Sequence, residues 1–295
     1  MLKYRIITGS LVGAFFVGMI LFAPVWALLV LMCAVYFLAQ LEYCEMCKAG
    51  GYELERIGIF VCGFLFLGAT VLETGVFTRT ALNLDVSQWS YPPTAVLLCL
   101  IPAFLAAQSV LRRKTERAAE CLGLSILGFW YVAVLMSFMV RMALSEDSEA
   151  LGGGRWLLIF FIVIVKMSDT GAYTFGRLWG HKIKRRLIPE ISPAKSIPGL
   201  LGAYVWSLLV AVIMPSVVYF SGSACPWQIW CMCIVLGLLM ATVGVLGDLV
   251  ESLLKRSFVM KDSSHRFPGM GGFLDILDSL LFAAPFMYFF VRWCM

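Results

Sequence analysis

Long runs of apolar residues recur along the chain and are separated by short polar stretches. Each run approaches the roughly 20 residues that an α-helix needs to cross the hydrocarbon core of a bilayer. An isolated strand would leave its backbone hydrogen-bonding groups unsatisfied in lipid, so the pattern predicts helices. We place nine segments, at residues 6–23, 24–40, 57–73, 93–111, 118–140, 156–176, 199–220, 227–248 and 273–292.

The composition supports a membrane protein. Hydrophobic residues make up 61% of the 295 residues, and charged residues only 14%, whereas an ordinary soluble domain is about 25% charged. A soluble core of this size has no room for so much apolar surface. The sequence therefore predicts an all-α, polytopic integral membrane protein of about nine transmembrane helices.

The distribution of positive charge predicts the orientation of these helices. With the N-terminus in the cytoplasm, eighteen of the 23 Lys and Arg residues fall in cytoplasmic stretches and four on the opposite side, as the positive-inside rule requires. The C-terminus is then outside. Merging the first two segments would place the large basic loops outside, so we treat them as a hairpin around Pro24 with an uncleaved first helix.

The two parts of the chain differ in their polar residues. Residues 1–140 show no recognisable spacing of chemical groups, and we interpret them as a scaffold of transmembrane helices. Residues 141–295 form the predicted catalytic region, with cytoplasmic loops at 177–198 and 249–272. The pair Cys44 and Cys47 has CxxC spacing, but no second pair matches it, so we interpret these thiols as small hydrophobes.

The first cluster of ionisable residues lies in the sixth segment. Inserting such a side chain at membrane depth costs about 2.5–3.5 kcal/mol by insertion scales, so its presence requires a structural or functional explanation. Lys166 and Asp169 are three residues apart and share a helix face. A functional role competes with a mutually neutralised pair that helps helices to pack.

A second cluster follows the eighth segment. Asp248, Ser252 and Lys255 are spaced i, i+4, i+7 on one face of a helix that leaves the membrane, and Glu251 lies beside them. The alternative is an ordinary amphipathic juxtamembrane helix.

The third cluster is a glycine-rich loop, residues 261–272, followed by Asp275 and Asp278 on the last helix. Exposed backbone N–H groups of such a loop can approach phosphate oxygens closely. The two carboxylates, at i and i+3, need a divalent cation or partner cations beside them. A flexible loop with a salt-bridged helix start is the alternative.

Together the three clusters suit phosphoryl or nucleotidyl chemistry at the cytoplasmic ends of the C-terminal helices. Carboxylates hold Mg²⁺, which keeps phosphates as co-ligands. Lysine and arginine neutralise the remaining phosphate oxygens. The basic cytoplasmic loops attract an anionic soluble substrate.

These residues resemble the signature of the phosphatidate cytidylyltransferase (CDP-diacylglycerol synthase) family, which reads approximately S-x-x-K-R-x4-K-D and then P-G-H-G-G-x-x-D-R-x-D. The matching stretches are 252–256, 261–262, 268–272 and 275–278, with further similarity at 168–177, 191–196 and 247–252. The resemblance covers residues 166–280, while the N-terminal half agrees only as a multi-helix membrane region.

Four positions depart from the family pattern. Met270 replaces the signature His, Ile276 the Arg between the acidic residues, Pro198 a Glu and Ala194 the first Lys of the S-P-K-K-T segment. The lost His removes a possible phosphate contact, and the lost Arg removes a cation next to Asp275. Because the spacing is intact, we interpret the chain as a divergent but active member.

The resemblance implies an Mg²⁺-dependent nucleotidyltransferase that makes CDP-diacylglycerol and pyrophosphate from CTP and phosphatidate. It implies one or two divalent ions, with a monovalent cation as a further candidate. The predicted catalytic residues are Asp169, Asp248, Asp275, Lys255 and Lys261; the predicted metal ligands are Asp248, Asp275 and Asp278; the predicted substrate-binding residues are Lys195, Ser192, Ser252, Arg256, Asp262, Gly271 and Gly272.

The expected partners are CTP, phosphatidate and the lipid bilayer, with no nucleic acid; homodimerisation stays open. The short loops favour the bacterial inner (plasma) membrane. Two alternatives remain: a CTP-dependent kinase of a polyprenol or phytol type, and a transporter. A transporter would place its polar groups near the bilayer midplane, often in repeated halves, whereas here they lie at one edge. The pattern of CDP-alcohol phosphotransferases is absent.

Overall fold

The computed structural model describes most of the chain, and all structural statements below concern that part. The described residues are 2–76, 90–112, 115–145, 153–183, 185–218, 227–258, 260, 263–264 and 271–294.

Each predicted apolar segment lies on one helix. The helices are α1 (Leu2–Phe22), α2 (Val25–Ala49), α3 (Arg56–Glu73), α4 (Pro93–Leu111), α5 (Ala118–Ala143), α6 (Gly154–Trp179), α7 (Ile197–Val218), α8 (Trp227–Ser257) and α9 (Phe273–Cys294). The described residues contain no strand, and Arg186 and Ser196 form an isolated bridge. The prediction of an all-α fold is confirmed.

Seven of these helices are long and apolar enough to span a bilayer over their described residues. The apolar parts of the other two, Gly13–Phe22 in α1 and Ile197–Ile213 in α7, are shorter. The polytopic membrane character is thus confirmed, while the count of nine crossings stays a prediction.

Two helices extend well beyond their predicted apolar segments. The second segment was placed at 24–40, but α2 continues to Ala49. The N–H of Gly50 donates to the Met46 carbonyl (3.1 Å), and Gly51 then turns the chain with a φ of 84°. Helix α8 likewise continues to Ser257, through part of the predicted loop 249–272. Hydropathy marks the part of a helix in hydrocarbon, whereas backbone hydrogen bonding continues into the polar region.

The chain divides into two compact units. The first comprises residues 1–145 and 257–275, and the second residues 146–256 and 276–295. The first unit therefore contains the scaffold helices together with residues 263, 264, 271 and 272, the described part of the glycine-rich loop, which we call the glycine-rich turn. The predicted division into 1–140 and 141–295 stays a prediction.

The first unit is held together in part by a partly buried ion pair. Glu73, at the end of α3, lies 2.6 Å from the Arg141 guanidinium of α5. It also accepts hydrogen bonds from the Thr94 backbone N–H (2.5 Å) and hydroxyl (2.9 Å) at the start of α4. A single carboxylate thus joins three helices.

In the second unit, α6 and α7 approach each other through glycine. A Cβ atom on Gly171 would collide with the Gly202 carbonyl oxygen, and one on Gly202 with that of Gly171. Only residues without a side chain allow this backbone contact. It places the loop between the two helices, which carries Lys195, next to the end of α6.

Candidate active site

Three carboxylates of the second unit converge. Asp248 and Glu251 are one turn apart on α8, and Asp278 lies on α9; one oxygen from each lies within 4.8 Å of the others. Glu251 is fully buried and Asp278 is 6% exposed. We call Asp248, Glu251 and Asp278 the carboxylate cluster. Asp248 is partly exposed, and the burial of the other two like charges is costly unless cations compensate them.

The close approach of α8 and α9 at this point depends on Gly247. A Cβ atom there would lie 2.8 Å from the Phe282 Cβ, 2.9 Å from the Asp278 carbonyl oxygen and 3.1 Å from the Ser279 Cα. The residue before Asp248 therefore sets how near its carboxylate comes to Asp278. This explains a glycine in a helix interior, where it otherwise costs about 0.5–1 kcal/mol relative to alanine.

Two lysines compensate the α8 carboxylates. Lys195, in the loop before α7, lies 2.9 Å from Asp248 and donates to the Val245 carbonyl (3.3 Å). Lys255, one turn beyond Glu251, lies 2.5 Å from its carboxylate. Both ammonium groups are partly buried, so these pairs are less screened by water than surface pairs.

A second polar group links α6 to α9. Lys166 lies 3.0 Å from Asp169 and donates to the Ser279 hydroxyl oxygen (3.1 Å). That hydroxyl lies 3.0 Å from both Asp169 and Asp278. The ion pair expected within α6 is therefore present, and Ser279 connects it to the carboxylate cluster.

The remaining predicted residues of the second unit lie along the same helix end and the basic loop. Ser252 donates to Asp248 (3.4 Å). Arg256 donates to the Ile191 carbonyl (3.5 Å), and the Ser192 backbone N–H donates to Ile188 within the loop (3.0 Å). Arg256 is exposed and Ser192 half-exposed, which leaves both accessible to an anionic ligand.

The glycine-rich turn belongs to the first unit and is closed by Asp275. One carboxylate oxygen of Asp275 accepts hydrogen bonds from the Ser263 backbone N–H (3.1 Å), the Ser263 hydroxyl (2.8 Å) and the Gly272 N–H (2.7 Å). The last is half of a capping box at the start of α9. Gly271 has a φ of 84°, a conformation that favours glycine.

Three predicted site residues, Gly271, Gly272 and Asp275, lie in this turn or bind to it. The Gly272 N–H is engaged by Asp275 here, and the carboxylate cluster contains Glu251 where the sequence pattern suggested Asp275. The roles of Gly271 and Gly272 as phosphate donors and of Asp275 as a metal ligand stay predictions. Lys261 and Asp262 lie outside the described residues.

Two functional candidates were not predicted from the sequence. Glu251 was noted only as a neighbour of the polar face, although its i+3 spacing from Asp248 was a usable signal. No sequence signal marks Ser279, because a serine beside an aspartate in an apolar helix is an unremarkable combination of residues. Its position depends on how α6 and α9 pack.

The carboxylate cluster fits a divalent cation. It offers oxygen donors alone, which is the set that Mg²⁺ prefers, and it offers more than the one or two carboxylates that such sites commonly supply. The adjacent Lys195 and Lys255 are donors suited to phosphate oxygens. Chemically, the arrangement can bind a metal ion and a polyphosphate side by side.

The chain is similar to known proteins over most of its length. The sequence profile of the cytidylyltransferase family matches residues 3–294. The phosphatidate cytidylyltransferase of Haemophilus influenzae is 30% identical over 302 aligned positions, covering 99% of this chain and all of that protein. The phosphatidate cytidylyltransferase of Staphylococcus haemolyticus is 41% identical over 134 positions, 45% of this chain and 48% of that protein. An uncharacterized protein of Escherichia coli, YnbB, is 26% identical over 94% of this chain and 83% of its own length.

Proposed function

The chain belongs to the cytidylyltransferase family, and from that premise we propose that it is a phosphatidate cytidylyltransferase that converts CTP and phosphatidate into CDP-diacylglycerol and pyrophosphate. The observation that carries the proposal is the carboxylate cluster flanked by Lys195 and Lys255. A relative of that name matches the chain end to end.

The reaction is a substitution at phosphorus. A phosphate oxygen of phosphatidate attacks the α-phosphorus of CTP, a new P–O bond forms, and the bond from the α-phosphorus to the bridging oxygen breaks. Pyrophosphate leaves with that electron pair. The nucleophile is already an anion, so the site needs no strong general base; it has to overcome charge repulsion and align the reactants.

Asp248, Glu251 and Asp278 would hold Mg²⁺, as one or two divalent ions. When bound, the metal neutralises phosphate charge and orients the leaving group. Asp275 remains a proposed further ligand, and a monovalent cation a further candidate. Lys166 and Ser279 orient Asp169 and Asp278 by the hydrogen bonds described above.

The cationic residues around the cluster bind the phosphates. Lys195 and Lys255 exchange a carboxylate partner for a phosphate oxygen when substrate binds, and Arg256 supplies a bidentate donor. Ser192 and Ser252 add hydroxyl donors. The other proposed substrate contacts are Lys261, Asp262, Gly271 and Gly272.

The protein is embedded in a membrane, which we propose to be the bacterial inner membrane, with the N-terminus in the cytoplasm and the C-terminus outside. The site then lies on the side where CTP is available and at the depth of a lipid headgroup. Nucleic acid has no part in the reaction, and a homodimer is compatible with it.

The test follows label from CTP into lipid. The purified protein is incubated in detergent with phosphatidate, Mg²⁺ and CTP labelled either in the cytidine or at the γ-phosphate. The proposal expects cytidine label in the chloroform phase and none from the γ-phosphate. Transfer of γ-label to an added polyprenol would instead identify a lipid kinase, and transfer of neither label would refute both activities.

A further inference from the structure

The N-terminal helices contain a buried carboxylate that does not belong to the carboxylate cluster. Glu42 lies on α2, in the part of the chain assigned to the scaffold, and its side chain is fully buried. Burying a carboxylate costs several kcal/mol unless hydrogen bonds or cations compensate it. The hydrogen-bond donors around Glu42 therefore identify a part of the protein that this carboxylate stabilises.

Donors to Glu42 come from the glycine-rich turn and from the start of α9, both in the same unit. One Glu42 carboxylate oxygen accepts a hydrogen bond from the Leu274 backbone N–H (2.9 Å), and the other from the Ser264 hydroxyl (2.7 Å). The Ser263 hydroxyl lies 3.3 Å from the first oxygen and closer to Asp275 (2.8 Å). More than 200 residues of sequence separate Glu42 from the turn.

Leu274 is the second residue of α9, so its N–H is one of the groups that a helix start leaves without an intrahelical partner. A carboxylate at this position also interacts favourably with the helix dipole. Glu42 thus caps α9 from a distant helix, beside the local cap supplied by Asp275. Asp278 of the carboxylate cluster follows one turn later on the same helix.

The contact between Glu42 and the turn leaves no room for a side chain at position 272. A Cβ atom at that position would collide with a Glu42 carboxylate oxygen and with the Ser263 hydroxyl oxygen. The second glycine of the turn is therefore required by the approach of Glu42, independently of any contact with a substrate.

We propose that Glu42 is a positioning residue for the reaction: it fixes the glycine-rich turn and the first residues of α9, and through them the orientation of Asp275. This inference rests on the proposed function for its effect on catalysis. It assigns to α2 the positioning of Asp275, a proposed metal ligand, which is a role beyond that of a scaffold.

The test compares two glutamates of the first unit, the buried Glu42 and the partly buried Glu73. Glu42→Gln keeps the size of the side chain but replaces one acceptor oxygen by an NH₂ group that faces donors. The control, Glu73→Gln, alters the carboxylate that binds Arg141 and Thr94. Steady-state kinetics, Tm and hydrogen exchange of a peptide covering residues 271–275 are measured for both variants in detergent.

We expect Glu42→Gln to lower kcat by about tenfold or more, the size of effect seen when residues behind metal ligands are changed. Exchange at 271–275 should rise. Glu73→Gln should lower Tm while kcat stays within about twofold and the exchange is unchanged. Ser264→Ala, a milder change, should raise the exchange and lower kcat by less, and Glu42→Asp, which keeps the charge, should retain more activity than Glu42→Gln.

Unchanged exchange at 271–275 in both Glu42→Gln and Ser264→Ala would overturn the proposal. So would a kcat for Glu42→Gln equal to that of Glu73→Gln at matched Tm. Failure of the wild-type protein to transfer cytidylyl groups would count against the proposed function alone, because the exchange measurement still decides whether Glu42 fixes the turn.

Discussion

The Lys195 ammonium lies 2.9 Å from the Asp248 carboxylate, so that a cation from the basic loop reaches a carboxylate of the candidate metal cluster. Lys195 lies in the loop before α7 and Asp248 on α8, and neither is fully buried. In the proposed mechanism Lys195 turns from this carboxylate to a phosphate of CTP. The pair therefore links nucleotide binding to the metal site.

Replacing Lys195 by Met should raise the KM for CTP by about tenfold or more, because a hydrogen bond to a charged group is worth about 1.5–3 kcal/mol. Lys182→Met is the matched control, since Lys182 is an exposed lysine of the same loop. Its effect should be small. An unchanged KM for CTP in Lys195→Met, or an equal rise in Lys182→Met, would contradict the assigned role.

Gly247→Ala tests the helix contact that brings Asp248 and Asp278 together. The added methyl meets backbone atoms of α9, and such overpacking costs about 1–3 kcal/mol. We expect a lower Tm together with lower kcat. Gly244→Ala, on the same helix, has its nearest neighbour at 3.7 Å and should leave both quantities close to wild type. Equal behaviour of the two variants would show that the contact does not govern the site.

Ser279→Ala removes the hydroxyl that lies between Asp169 and Asp278. We expect kcat to fall by about tenfold, as for other residues that orient ligands. The control is Ser207→Ala, which removes a buried hydroxyl that donates to the Gly237 carbonyl (2.7 Å). If both variants lose equal stability and neither loses kcat, Ser279 has a packing role only.

Binding of Mg²⁺ is measurable without turnover. A ligand that binds the folded state alone raises stability by about 2.7 kcal/mol at one hundred times its Kd, so Mg²⁺ should raise Tm in the wild-type protein. Glu251→Gln should abolish most of that rise, while Glu120→Gln, on an exposed glutamate paired with Arg117, should retain it. An equal rise in all three proteins would place the metal elsewhere.

The helices and the polar face of α8 could be predicted from the sequence because both depend on local spacing. An apolar run of about 20 residues indicates a membrane helix regardless of its neighbours. Likewise, Asp248, Ser252 and Lys255 share a face of any helix that contains them. The α6 pair of Lys166 and Asp169 follows from the same rule, and all of these residues lie in the predicted region.

Tertiary pairings could not be predicted in the same way. The contacts of Lys195 with Asp248 and of Ser279 with Asp169 depend on how separate helices pack, which no local pattern encodes. Glu42 was missed because the predicted second segment ended at residue 40, whereas α2 continues to Ala49. The hydrogen-bond partners of Glu42 lie more than 200 residues away in the sequence, so no local pattern could indicate them.

If the carboxylate cluster supports cytidylyl transfer, the loss of one of its carboxylates should slow that transfer. The most direct measurement is the initial rate at which cytidine label from CTP enters phosphatidate, compared between wild type and Asp248→Asn at saturating Mg²⁺, with Glu120→Gln as the control. We expect Asp248→Asn to lose activity by at least about a hundredfold while remaining folded, because a lost metal ligand removes charge neutralisation in the transition state. A folded Asp248→Asn protein that labels lipid at the wild-type rate would contradict the account.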